Sequence, residues 1–427
     1  MIIRYLKIRL GARALYLAVI ISFVSAVYAF MFILSRYYGF VEIRSLDAFR
    51  QLSDNCRSAI HIAMQQESYA DFGKAETKIL FNDTLNEVQL LKRHWGVYNI
   101  VSAGAGWKSH RVKRTALYGR KTGGESPTGL YLADHGHYLA VGGDTYLSGH
   151  CYLPELGARK AYIEGRSFKY RTVIDGSTGK SRENLPPLPV SFPEHIKNYL
   201  LMHSGTPDTL AEEKILNSDK LENSFENKTI RISSEEYLVL DRIDIKGNYI
   251  IQSRDRIIIG ENARLENIIC IAPAIIVQEG FEGKVQLIAL DSIAVGNDVV
   301  LRYPSAIVGA GIGRSSVHVA IGSNSRVEGC IAAFAEIAEE LDVQVRTESG
   351  SEVYGLVYCA GKMEHRGKIF GSLYCDRFFL QTRQGYYENH LLDAWVDPDG
   401  LEKSFAAGLV FEDQDEKPVN RIIEWLN

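Results

Sequence analysis

The chain has 427 residues, 46% of them hydrophobic, with 11 prolines and a formal net charge of −4. That balance fits two or three folded domains and excludes extended disorder. Arg4, Lys7, Arg9 and Arg13 put four positive charges ahead of the rest, so residues 14–427 carry −8 and give nucleic acid nothing to hold.

Residues 1–13 read as a basic cytoplasmic segment and 14–35 as a transmembrane helix. Ala14 to Ser35 is 22 residues without a charge, bracketed by Arg13 and Arg36, long enough to cross about 30 Å of hydrocarbon. Ser35-Arg-Tyr-Tyr-Gly39 is a poor cleavage site, so an uncleaved anchor is expected. The four basic residues before the span outnumber Arg36, Arg44 and Arg50 after it, which directs the bulk of the chain out of the cytoplasm. An apolar N-terminal helix ahead of a β-rich region resembles pseudopilins of secretion and pilus assemblies. That family has a glutamate five residues after its processing site, whereas Tyr16 stands five residues after Gly11.

Residues 36–76 form the expected juxtamembrane helical region. Leu46 to Gln66 reads as a helix with Leu46, Phe49, Leu52, Ile60 and Ala63 on one stripe. Residues 77–175 form a β-rich region, with strand alternation in Lys78–Phe81, Val88–Leu91 and Tyr98–Val101. Gly149 and Gly165 close two similar units 16 residues apart. His135 and His137, flanking Gly136, would share one face of a strand, and His150 could complete a zinc site; no spacing signature fixes that third ligand, and a loop decoration is the alternative. No metal and no cofactor is therefore assigned. Residues 176–230 read as a linker or insertion, with a polyproline hinge at Leu185–Pro189 and an amphipathic segment at Pro193–Met202.

Residues 231–376 carry the clearest signal. From Arg256 to Gly309 the sequence repeats every 18 residues, aligning Ile257, Ile275 and Ile293, then Ile259, Val277 and Val295. A finer beat of six runs through Ile259, Leu265, Ile271, Val277, Gly283, Ala289, Val295, Leu301 and Ile307. Such periodicity predicts a mainly β fold, a parallel β-helix with coils of about 18 residues. Val327-x-Gly329-x-Ile331, Val353-x-Gly355-x-Val357 and Ile369-x-Gly371-x-Leu373 continue it, each glycine turning a corner at positive φ. Large residues such as Ile269, Phe281 and Leu287 two places before the inner aliphatics argue against a left-handed hexapeptide helix. The paired aliphatics and aliphatic-x-Gly-x-aliphatic units resemble bactofilins, polymer-forming bacterial proteins. That resemblance implies a right-handed β-helix over roughly 240–376 and a structural role, with self-association as an alternative.

Six cysteines with no CxxC pair exclude a disulfide scaffold. Cys359 and Cys375 should stack on adjacent coils, as a disulfide or as reduced thiols. Gly309-Ala-Gly311-Ile-Gly313 reads as a turn, not a nucleotide loop; His318 is a weak general-base candidate; Asp291 and Asp298 sit on different phases. Residues 377–427 read as a capping tail, with a helix over Val419–Asn427. The expectation is a non-catalytic, single-pass bacterial inner-membrane protein whose periplasmic β-helix docks envelope proteins. A pseudopilin-like assembly component and a glycan-active β-helix enzyme, lyase, hydrolase or acyltransferase, are the alternatives.

Overall fold

The computed structural model describes residues 11–65, 72–80, 87–108, 110–121, 127–189, 191–200, 209–211, 216, 218–336, 342–383, 385–408 and 419–426. Arg4, Lys7, Arg9, Gln66, Phe81, Met202 and Asn427 lie outside the described residues.

The span and the juxtamembrane helix are one element. Helix α1 (Ala12–Gln65) runs unbroken for 54 residues, about 80 Å at 1.5 Å per residue. It is long and apolar enough to cross a membrane, and its apolar window is covered by no other described residue. Farther along, Leu52, Cys56, Ala59, Ile60, Ala63 and Met64 are buried. They pack on Val88, Leu90, Val101, Ala103, Val112 and Ala116 of an antiparallel sheet. Leu46 and Phe49 of the expected stripe stay 54% and 45% exposed, because that cover begins only at Leu52.

The sheet is ordered β1 (Ala75–Ile79), β2 (Glu87–Trp95), β3 (Tyr98–Trp107), β4 (His110–Lys121). Ala406–Ala407 and Asn420–Trp425 both pair with β4. The second of these corrects the helix expected over 419–427. Ile422 and Trp425 face the core shared with α1, whereas Ile423 and Leu426 face the core on the sheet's other side. A segment with apolar residues on two opposite faces suits a strand between two layers.

The second body is, among the described residues, a closed sheet of twenty strands. Its pairings are parallel except where Lys368–Thr382 folds back on Gly385–Glu388. The predicted columns are its registers: Ile257 pairs Ile275, which pairs Ile293, and Ile259, Val277 and Val295 align in the same way. All six are buried in one continuous interior. The beat of six breaks once. Asn267 adopts a left-handed φ of 60°, the register slips between Glu266 and Ile268, and Cys270 and Ala272 turn inward. Ile271, expected inside, faces outward into a second core.

Gly329, Gly355 and Gly371 are register partners at φ 149°, 144° and 144°. A Cβ on each would lie 1.8 Å from the carbonyl oxygen of the residue stacked before it, Ser305, Gly329 and Gly355 respectively, so only glycine lets the strands approach. Gly149 pairs with Gly176 in the same manner. Gly165, whose unit matched that of Gly149, lies beside the separate antiparallel hairpin of Tyr162–Ile163 and Arg166–Ser167. Charges alternate along the outside: Glu222, Lys246, Glu266 and Lys284 are successive partners, and Glu424 closes the row 2.8 Å from Lys284. A one-strand slip would set like charges side by side.

The expected boundaries at 77, 176, 231 and 377 do not coincide with these bodies. β5 (Thr128–Leu132), β6 (Leu139–Gly142) and β7 (Tyr146–Leu153) belong with the C-terminal strands: Leu373 pairs Leu130, Val396 pairs Leu147, Leu391 pairs Val141, and Cys151 pairs Thr178. Residues 128–180 therefore complete one end of the stack. The other end begins with Thr209–Ala211 and Lys220–Asn223, so the chain from 181 crosses the flank between them. Leu185 and Leu188 pack on that flank, and Tyr358 Oη donates to the carbonyl of Pro186 at 3.4 Å. Helix α2 (Ser191–Leu200) follows, with Phe192, Ile196 and Leu200 buried. The expected linker is thus a packed strap. The expected tail is split: Lys368–Thr382 straddles 377, Gly385–Glu388 folds back on it, His390–Leu392 pairs with β6, Trp395–Val396 lies between stack strands, and Ala406–Ala407 and Asn420–Trp425 join the antiparallel sheet.

Candidate interaction surface

One side of the stack is covered by the antiparallel sheet and the strap. The covered side shows why the layers stay together. Ile250, Ile269, Ile271, Ile288, Val308 and Phe334 project outward and are buried by Trp95, Val97, Tyr98 and Ile100 of the sheet and by α2. At the centre is the tip of the β2–β3 hairpin. Gln286, 3% exposed, accepts from Val97 N at 2.8 Å and donates to Trp95 O at 2.9 Å. From the opposite side His195 Nε2 donates to Gly96 O at 2.5 Å, and Tyr199 Oη donates to His94 O at 3.0 Å and accepts from Gly96 N at 3.3 Å. The tip's backbone groups are therefore met by a stack strand and by the strap, as buried polar groups require. Gln286 interrupts an apolar run, Val285-Gln-Leu-Ile-Ala289; that break was its one visible mark in the sequence. His94 and His195 carried no signal.

On the flank beside the C-terminal strand lies an open groove of about 1180 Å³, lined by Arg264, Glu266, Glu282, Lys284 and Arg302 together with Asp219, Asp244 and Glu261. Its charges are interleaved, and Arg302 pairs with Glu282. A third surface carries a flat outward column in which Val239, Ile258, Ile276, Ala294 and Ala320 are register partners. Ile276, expected to point outward, is 38% exposed and Val239 is 54% exposed. The column ends on Arg346, the register partner of Ala320.

The residues weighed for chemistry are dispersed. Residues 133–138 form a bend, the loop alternative and not a strand, in which Gly136 has φ 75°. Asp134, held below the usual carboxylate range by the Glu155 and Gly136 amides, anchors it. His135 Nε2 lies 2.9 Å from Asp376 Oδ1; His150 Nδ1 lies 2.6 Å from Ser177 Oγ; His137 is exposed. Among the described residues no group of three or more His, Cys, Asp or Glu is placed to hold a metal ion. Cys359 and Cys375 are register partners and, like the other four cysteines, free and buried. Burial pushes the thiols of Cys270 and Cys330 up to about 12 and Cys375 well above its usual value, which keeps all three protonated at neutral pH. Gly309 and Gly311 end a strand, and the turn follows at Gly313, φ 68°. His318 points outward, 3.4 Å from Asp342. Asp291 pairs with Arg314, and Asp298 occupies a left-handed turn.

Neither a family model, nor a curated protein, nor a solved structure matches the chain.

Proposed function

We propose that the protein is a non-catalytic, membrane-anchored scaffold of the bacterial cell envelope. Its parallel stack is a right-handed β-helix of the bactofilin-like kind, held on the periplasmic side and offering its bare flanks to protein partners. The observation that carries this reading is the unbroken packing from a membrane-length helix through the antiparallel sheet to the stack. A catalytic domain can work from a loose tether; cementing the anchor to the sheet fixes the direction in which the groove and the flat column face. Orientation follows from the excess of basic residues before the span. A reporter fused after Asn427 should be active only outside the cytoplasm, and a photo-crosslinking residue at Arg264 in the groove should yield discrete protein adducts in intact membranes. Activity of a cytoplasm-only reporter overturns the orientation; absence of adducts from both Arg264 and Ile276 overturns docking.

A second reading, a pseudopilin-like assembly component, is favoured by α1 itself. The apolar first half stands bare while the second half is fixed to an antiparallel sheet, a geometry in which many copies could bundle their helices. Cysteines introduced at Leu17 and Ile33 should then cross-link into a ladder of oligomers in membranes. A monomer or a single dimer band argues for the scaffold.

A further inference from the structure

The strap bears two histidines where the fold offers them little solvation. His195, 8% exposed on α2, lies 4.1 Å from the ring of His94 of β2, the two ring planes tilted by 54°. The ring of Phe72 covers His94 at 4.2 Å, and Asn99 Oδ1 lies 2.8 Å from its Nδ1. Among the described residues, the titratable groups set against His195 are His94 and, on α2 itself, Tyr199 at 5.0 Å. The stack presents the neutral amide of Gln286 to the same hairpin tip. A proton added to His195 would place a cation beside a second imidazole in a site built for two neutral rings. It sits where α2 is joined to the layer that covers the stack.

We propose that α2 is an acid-sensitive clasp: protonation of His195 releases the helix from the hairpin tip and uncovers the apolar outer surface beneath it. Burial, then the neighbouring His94, hold the folded His195 down to about 3, against 6.5 for an exposed imidazole; burial also lowers His94. A depressed folded value means that the closed clasp is fully favoured above 6.5. As pH falls from 6.5 toward 3, closure weakens tenfold per unit for one site.

The test is hydrogen exchange on the full chain in detergent, corrected for intrinsic rates, between pH 7 and 4.5. Protection of the α2 amides at 196–200 should fall about tenfold per pH unit below 6, while amides in the underlying strand Glu282–Val295 keep theirs. His195→Gln, whose side-chain amide can still donate to Gly96 O, should flatten the slope to under threefold. The proposal is overturned by an α2 slope under threefold in the wild type, by an unchanged slope in His195→Gln, or by equal loss in the strand beneath. Should the variant not fold, the two wild-type readings decide alone.

Discussion

Replacing Gly355 by alanine tests the glycine ladder most directly. Gly355 sits between Gly329 and Gly371, and a methyl there would lie 1.8 Å from the Gly329 carbonyl oxygen and 2.7 Å from Cζ of Phe405. Ordinary van der Waals contact requires more than 3 Å, so the strand must retreat by more than 1 Å or the residue must leave its φ of 144°. Backbone strain at a glycine-only conformation costs about 1–3 kcal/mol. Losing two ladder hydrogen bonds costs about 1 kcal/mol each, so a total near 4 kcal/mol is expected. Gly165→Ala is the control. It too has a positive φ, 80°, but its nearest neighbour is the Tyr162 hydroxyl at 3.8 Å, so only the conformational cost of about 1 kcal/mol applies. Urea unfolding of the full chain in detergent, followed by circular dichroism, should show a far lower midpoint for Gly355→Ala. Equal midpoints would refute the claim that these glycines set the strand spacing.

Val277→Ala should cost about 2 kcal/mol by removing buried methyls between Ile259 and Val295, and Val277→Asp should prevent folding; Ile276→Ala and Arg264→Asp should each cost under about 1 kcal/mol, and similar losses at inward and outward sites would overturn the register. Gln286→Leu leaves Val97 N and Trp95 O without their partner and should lower stability by about 2–4 kcal/mol, read as early exposure of the Trp95 layer in tryptophan fluorescence. Acid should also loosen the C-terminal end of the stack: His365 is held to about 4 by burial, so the stability it confers is complete above 6.5 and is lost as pH falls toward 4, by about 2 kcal/mol at pH 5. The melting temperature should fall between pH 7 and 5, and fall less in His365→Gln. Deleting 376–427 should unfold the stack's end, because Trp395–Val396 and the strand on β4 go with it; soluble filaments from that truncation would instead restore the tail as a cap.

The repeat was legible because a closed parallel stack forces equivalent residues into register, so Ile257, Ile275 and Ile293 advertise their contacts at a fixed interval. The membrane-length helix was legible because it needs no partner. The strand at 420–425 was not: Ile422, Ile423, Trp425 and Leu426 fit a helical stripe as well as two faces of a strand, and only the presence of cores on both sides decides. Nor could the sequence tell that 128–180 belongs at the far end of the stack, since Leu130 and Leu373 share no interval that periodicity could reveal. The contacts of Gln286 and His195 with the hairpin tip are set by tertiary geometry alone.

That closure of the stack by an early segment has a kinetic consequence. Most repeat proteins make contacts only between neighbours and can zip up as they emerge. Here β5 and β7 have their partners about 240–250 residues later in the chain, at Leu373 and Val396, and the sheet on α1 lacks its outer strand until Asn420 arrives. The loops that must close are long, and topology of this kind folds slowly. During synthesis the middle of the stack can form first while both its ends and the sheet on α1 wait with unpaired strand edges. Residues 128–180 are therefore the segment most exposed to mispairing with a neighbouring copy until the final residues arrive.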